Sequence, residues 1–406
     1  MDEQEFFTRL AELAIRVGVN LQPDQELVVW GDVEHAPLVR ATMEAGWRAG
    51  ASDVQCLYRE PHDRLFVGRY GADERLDRSP FASLALWDYL AQGERALVMV
   101  TGDATPDLYA GIDPARMARV VPAEGMRRRA EIQGRHGFAW TGIPFPTEAW
   151  SARIFGKPDV ARLQEVFAHA TRLDEPDPVA AWQDHLGELS ARAEMLTARS
   201  YDALRFRGPG TDLVIGLLPN AHWGNVTGET AWGQTYLANI PTEEVFTTPD
   251  CRRTQGQVAM TRPFADFGAY VTGMSLRFED GRVVEASATE GEAWLRQMLA
   301  TDDGASMVGE IALVPAYNRL SDLGLTFFHG LFDENVSSHM ALGNGITGVV
   351  GGSERLTSDE RRAAGMSTSI VHHDFTIGGP EIDVSGVTKD GREEPLMVGG
   401  RWQSPP

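Results

Sequence analysis

The sequence predicts an α/β protein of two domains: a doubly wound N-terminal α/β domain over residues 1–185 and a strand-rich, mixed α/β C-terminal domain over 186–406. Three observations carry this prediction. Apolar runs alternate with helical spacing through the first half, the pattern of βαβ units with a parallel sheet. Leu173-Asp-Glu-Pro-Asp-Pro178 breaks the helical pattern with two prolines and three acids. Beyond Gly208-Pro-Gly210 the texture turns to short strands. A chain of 406 residues also exceeds the roughly 150 expected of one domain.

The elements follow in order. Phe6, Leu10, Leu13, Ala14 and Val17 recur at helical spacing, with Gly18 as the stop. Glu26–Trp30, Val54–Tyr58, Ala96–Val100 and Gly137–Thr141 read as buried strands, and Ala36–Trp47 as a helix between the first two. After the Pro176/Pro178 break, Trp182, Leu186, Leu189, Ala193 and Leu196 mark one face of a long amphipathic helix. Strands are expected at Asp212–Leu218 and Gln257–Thr261, and a hairpin at Ser275–Val284 turning on Glu279-Asp-Gly281. A helix is expected over Glu290–Leu299.

Composition removes several functions. The net charge of −21 repels a phosphate backbone and an anionic membrane surface, so neither nucleic acid nor membrane is an expected partner. Two cysteines, Cys56 and Cys251, supply neither a disulfide framework nor a thiolate metal cage. The acidic start MDEQEFFTRL has no secretory pattern, and no apolar run reaches the ~18 residues of a spanning helix. A cytoplasmic protein is the expectation. A nucleotide site is not supported, because Gly208-Pro-Gly210 and the Gly343/Gly345 region lack the strand–GxGxxG–helix context and no GxxxxGK[ST] loop occurs.

Chemistry concentrates near the C-terminus. Phe332-Asp-Glu334-Asn-Val-Ser-Ser-His339 places a carboxylate five residues before an imidazole. In Ile370-Val-His372-His373-Asp374-Phe a strand would point His372 and Asp374 to one side and His373 to the other. Imidazole plus carboxylate is a ligand set for Zn, Co, Mn or Fe, and carboxylates suit the bridging of two dications. Glu244 in Ile-Pro-Thr-Glu-Glu-Val-Phe246 and Glu310 in Met307-Val-Gly-Glu-Ile-Ala-Leu313 sit in apolar surroundings, where a bare carboxylate is costly. Glu244, Glu310, Glu334 and Asp374 would balance two dications if His339 and His372 bind neutral. Plainer readings stand beside this one. Glu310 also fits the polar face of a half-buried strand, Glu334/His339 a helix-face ion pair, and either of His372 and His373 a structural histidine.

These segments, together with WTGIPFPTEAW (140–150) and Arg207-Gly-Pro-Gly-Thr-Asp-Leu213, resemble the M29 family of metallo-aminopeptidases, the thermophilic aminopeptidase T type, over nearly the whole chain. The resemblance implies an N-terminal α/β domain, a C-terminal domain holding two divalent ions (Zn, Co, Mn or Mg), and a homodimer with an enclosed active-site cavity. Carried over by position, the metal ligands are Glu244, Glu310, Glu334, His339, His372 and Asp374. The implied reaction is removal of the N-terminal residue from peptides with a free amino terminus by metal-activated water, with Glu310 or Glu334 moving the proton. Arg253 and Asn335, beside the motifs, are candidate substrate contacts. One position departs from the family: Ile346 stands where a tyrosine is common. Two alternatives remain open: a mononuclear non-haem iron dioxygenase-like enzyme using His339, His372 and Asp374, and a non-catalytic relative that binds metal or peptide.

Overall fold

The computed structural model describes residues 1–102, 105, 108–109, 111–120, 123–266 and 269–405. The chain divides into two compact units, Met1–Gln183 with Thr227–Ile240, and Asp184–Val226 with Pro241–Pro406.

The first unit is built on four parallel strands in the spatial order Asp53–Arg59, Glu26–Asp32, Arg95–Thr101, Ala139–Pro144. Parallel neighbours need crossovers, which helices such as Ala36–Arg48 supply. Leu27, Val28, Val29, Leu97 and Val98 are buried in the two central strands, as near-continuous apolar runs require. The first helix, Glu3–Leu13, is capped by Asp2, whose side chain accepts from the Glu5 N–H, and a π-type turn carries the chain on to Gly18. The fourth strand starts two residues later than the apolar run suggests. The Gly137 N–H is still bound to the Ile132 carbonyl at the end of the preceding helix, so the ladder begins after Phe138. Segment Thr227–Ile240 joins this unit through Gly142 N–H to the Ala238 carbonyl (2.8 Å), Ile240 N–H to the Gly142 carbonyl (3.1 Å) and the Gln234 amide to the Val19 carbonyl (2.8 Å).

The helix Pro178–Arg199 contains the passage from one unit to the next and buries Trp182, Leu189, Ala193 and Leu196. The second unit holds an eight-stranded antiparallel sheet that includes Thr211–Leu217, Pro249–Ala259 and the hairpin Ser275–Glu279/Arg282–Ser287. That hairpin turns on Asp280 and Gly281, both with positive φ (47° and 81°), the geometry favoured by the right-handed strand twist. A second antiparallel sheet orders His372–Thr376, His339–Gly343, Val308–Leu313 and Val245–Thr247. Residues of both sheets, among them Leu213, Ile215, Val258 and Phe278 with Ile311, Leu313, Met340 and Phe375, form one apolar core. Among the described residues no helix is long and apolar enough to cross a membrane.

Candidate metal centre

The four-stranded sheet sorts its side chains by register. Met340 lies opposite Ile311 and Phe375, and with Leu342, Leu313 and Val245 this face enters the apolar core. The other face follows from alternation. His339 lies opposite Ala312 and Thr376, Ala341 opposite Glu310 and Asp374, and Gly343 opposite His372. Glu310, His339, His372 and Asp374 therefore share one face, and Ala312, Ala341 and Gly343 between them leave it room. Glu244, two residues before Phe246 on the adjoining strand, reaches the same face.

A β-bulge makes this possible. Val308 pairs with Leu342 but Glu310 pairs with Ala341, so Gly309 is the extra residue. Without it Val308 and Glu310 would share a face; with it Val308 enters the core and Glu310 turns to the site. Only glycine fits there, because a Cβ at position 309 would lie 2.4 Å from the Asn344 carbonyl oxygen.

Both imidazoles are aimed by main-chain carbonyls. His339 Nδ1 lies 2.8 Å from the Glu334 carbonyl oxygen, and His372 Nδ1 lies 2.8 Å from that of Asn344. A carbonyl can only accept, so each Nδ1 carries the proton and each Nε2 faces the carboxylates. His339 Nε2 is 3.1 Å from Glu244 Oε2 and 3.9 Å from Asp374 Oδ1; His372 Nε2 is 3.1 Å from Glu310 Oε2 and 3.6 Å from Asp374 Oδ1. Two ligand-like groups result, Glu244/Glu310/His339 and Glu310/His372/Asp374, each with ligand atoms within 4.8 Å of one another and with Glu310 in common. Glu244 Oε2 and Asp374 Oδ1 are buried and face only the imidazole Nε2 atoms, with no further hydrogen-bond partner. Buried carboxylate oxygens in that state need a cation, and with imidazole nitrogens beside them the donor set fits a divalent metal.

Electrostatics point the same way. Burial disfavours a charged His339, yet Glu244, with Asp374 and Glu310, overrides it and pushes the imidazole up to about 10. His372 likewise rises to about 10, burial being outweighed by Asp374 and Glu310. Burial raises the Glu310 carboxyl; His372 opposes the rise and Asp374 adds to it. Glu334, at the end of the short helix Gly330–Glu334, is raised well above the usual carboxylate range by burial and by Asp374 and Glu244. A pocket that concentrates this much negative charge draws in protons or metal cations.

Five of the residues expected from sequence thus converge by distance, Glu244, Glu310, His339, His372 and Asp374, while Glu334 belongs to neither group and its carboxyl is raised by burial and by the Asp374 and Glu244 charges. The two candidate substrate contacts are engaged by the protein itself. Arg253 pairs with Asp202, and its guanidinium also reaches the Leu217 carbonyl. Asn335 is fully buried and bonded to main-chain groups of two segments. His373 lies on the opposite strand face, edge-on to Phe264 and Trp294. Ile346 packs against the apolar group of Phe246, Val349 and Met366, its main chain exchanging hydrogen bonds with the Thr248 hydroxyl. Two participants escaped the sequence reading. The lone Gly309 inside a strand pattern was a readable bulge signal. The Asn344 carbonyl acts through its main chain, which no side-chain motif announces.

A family model for the thermophilic metalloproteases (M29) matches residues 3–402. Aminopeptidase T of Thermus thermophilus is 38% identical over 402 residues, 97% of each chain. Aminopeptidase T of Thermus aquaticus is 39% identical over 409 residues, 98% of each. Aminopeptidase 2 of Geobacillus stearothermophilus is 34% identical over 402 residues, 97% of each. A solved structure of wild-type AmpT from Thermus thermophilus matches with a TM-score of 0.91 and 36% identity, covering 98% of this chain and 99% of that one.

Proposed function

The chain belongs to the thermophilic metalloprotease family M29 and is a metallo-aminopeptidase; from that premise we propose that it works with two divalent ions on one face of the Glu310 sheet. Glu244, Glu310, Glu334 and His339 would hold one ion, and Glu310, His372 and Asp374 the other. The observation that carries this reading is Glu310, which belongs to both ligand groups beside two buried carboxylate oxygens that face only imidazole nitrogens. A mononuclear iron site on His339, His372 and Asp374 would leave Glu244 and Glu310 buried without a task, so the two-ion reading is favoured.

Divalent ions, when bound, polarise a scissile carbonyl and lower the pKa of water towards ~7. The chain's own residues do the rest. Glu310 and Glu334, two carboxyls of the proposed ligand set whose proton affinity is raised by burial, are the pair suited to take a proton from water and deliver it to the leaving amine. The surplus of carboxylates attracts the protonated amino terminus of a peptide. With Ile346 in an apolar cluster, no phenol at that position can donate to a developing oxyanion. The proposal includes Zn, Co, Mn or Mg as the ion, a homodimer, and a cytoplasmic setting consistent with two free cysteines.

Metal content of the purified protein, together with hydrolysis of unblocked and N-acetylated leucyl peptides, tests the reading. About two ions per chain and cleavage of the unblocked peptide alone are expected. One iron with oxygen uptake, or equal cleavage of the acetylated peptide, would overturn it.

A further inference from the structure

Asn335 follows Glu334 directly, yet its side chain takes no place among the ligands. It is fully buried. Its Oδ1 accepts the Glu243 N–H at 2.7 Å, across 92 positions of sequence. Its Nδ2 donates to the Leu331 carbonyl at 2.9 Å and lies 3.5 Å from Glu334 Oε1. The amide thus holds two segments at once: the turn that delivers Glu244, and the end of the helix that delivers Glu334. Glu243 precedes the strand Val245–Thr247 and lies outside its ladder, so the Asn335 amide fixes the Thr242–Glu243 peptide plane, one residue before Glu244.

We propose that Asn335 is a positioning residue that sets metal affinity by tying the Glu244 turn to the Glu334 helix. This rests on the metal reading above and deepens it. The physical reason is geometric. Glu244 and Glu334 come from loop and helix end, which a sheet ladder does not fix, whereas Glu310, His339, His372 and Asp374 stand on paired strands. The two ligands without a ladder share one anchor, and both ends of that anchor are hydrogen-bonded. A substrate contact would need a free donor or acceptor on this amide. Both groups are instead turned to the protein.

The test is Co(II) affinity of the full chain by titration calorimetry and visible absorption, with steady-state kinetics on leucyl p-nitroanilide. For Asn335→Ala the Co(II) dissociation constant should rise by about 10- to 100-fold, the usual effect of losing an outer partner of a metal ligand. KM should stay unchanged, and kcat should return towards wild type at saturating Co(II). Asn335→Asp keeps an acceptor for the Glu243 N–H and also serves if the alanine variant fails to fold; its affinity should exceed that of the alanine variant. Unchanged Co(II) affinity in the folded alanine variant, a rise in KM alone, or an aspartate variant no better than alanine would overturn the proposal. Failure of the wild type to bind Co(II) would instead overturn the metal reading, so the two failures are distinguishable.

Discussion

Each unit has a buried histidine at the heart of its sheet, and the two kinds behave oppositely. In the first unit His35 sits at the carboxyl ends of the central strands, where the strand order reverses and where doubly wound sheets commonly take ligands. Its Nδ1 accepts the Asp32 N–H at 3.1 Å and its Nε2 donates to the Gly102 carbonyl at 2.9 Å, so both ring nitrogens are spent on the main chain. Burial drives its pKa down, with Asp32 opposing. In the second unit His339 and His372 spend only Nδ1 on a carbonyl and turn Nε2 to carboxylates, and their pKa values rise to about 10. His35 and His339 are buried and His372 is half-buried. The free nitrogen and the acids around it separate a ligand from a staple.

The largest expected effect breaks the comparison at its functional end. Glu310→Ala removes the carboxylate common to both ligand groups, and hydrolysis of leucyl anilides should fall by about 100- to 10,000-fold, the scale of losing a general acid–base group. Metal content should fall with it. Full activity in this variant would sink the assignment.

A smaller effect is expected one bond away from a ligand. Gly309→Ala places a Cβ 2.4 Å from the Asn344 carbonyl oxygen, the group that aims His372. The carbonyl must shift, and metal affinity should fall by about 10- to 100-fold with all six proposed ligand residues unchanged. Calorimetry against the wild type measures this; unchanged affinity would mean that the bulge tolerates a side chain and that carbonyl aim matters little.

The contrast also explains what the sequence disclosed. Ligand types and their spacing are local, so Glu334/His339 and His372/Asp374 were legible as pairs, as were the alternation that turns His373 away and the Asp280-Gly281 hairpin. Apolar runs placed all four parallel strands but missed some of their bounds, among them the ends at Asp32 and Pro144 and the delayed start of the last, where Gly137 still serves the preceding helix. The return of Thr227–Ile240 to the first unit was not legible, because it depends on main-chain bonds such as Gly142 to Ala238 that any sequence could make. The Asn335 anchor escaped for the same reason: its partner is a backbone N–H 92 residues away. Nor did any motif mark His35 as a staple, since its partners too are main-chain groups.

The smallest effect concerns that staple and has a definite sign. A histidine whose folded pKa is depressed stabilises the fold relative to the protonated form only while it stays neutral. Above the unfolded value of about 6.5, neither state takes a proton there. As pH falls below it, the unfolded chain binds a proton that the folded chain refuses, so stability declines until the depressed folded pKa is reached. The slope from one such group is at most about 1.4 kcal/mol per pH unit. Amide exchange of Val28 and Val29, buried in the strand that ends at Asp32, reports the first unit without relying on the metal site. Protection there should weaken between pH 7 and pH 5 in the wild type, and His35→Gln, which cannot titrate, should flatten that trend whatever its absolute stability. An identical slope in the two proteins would show that the His35 proton is not linked to folding, and the division between staple and ligand would then rest on geometry alone.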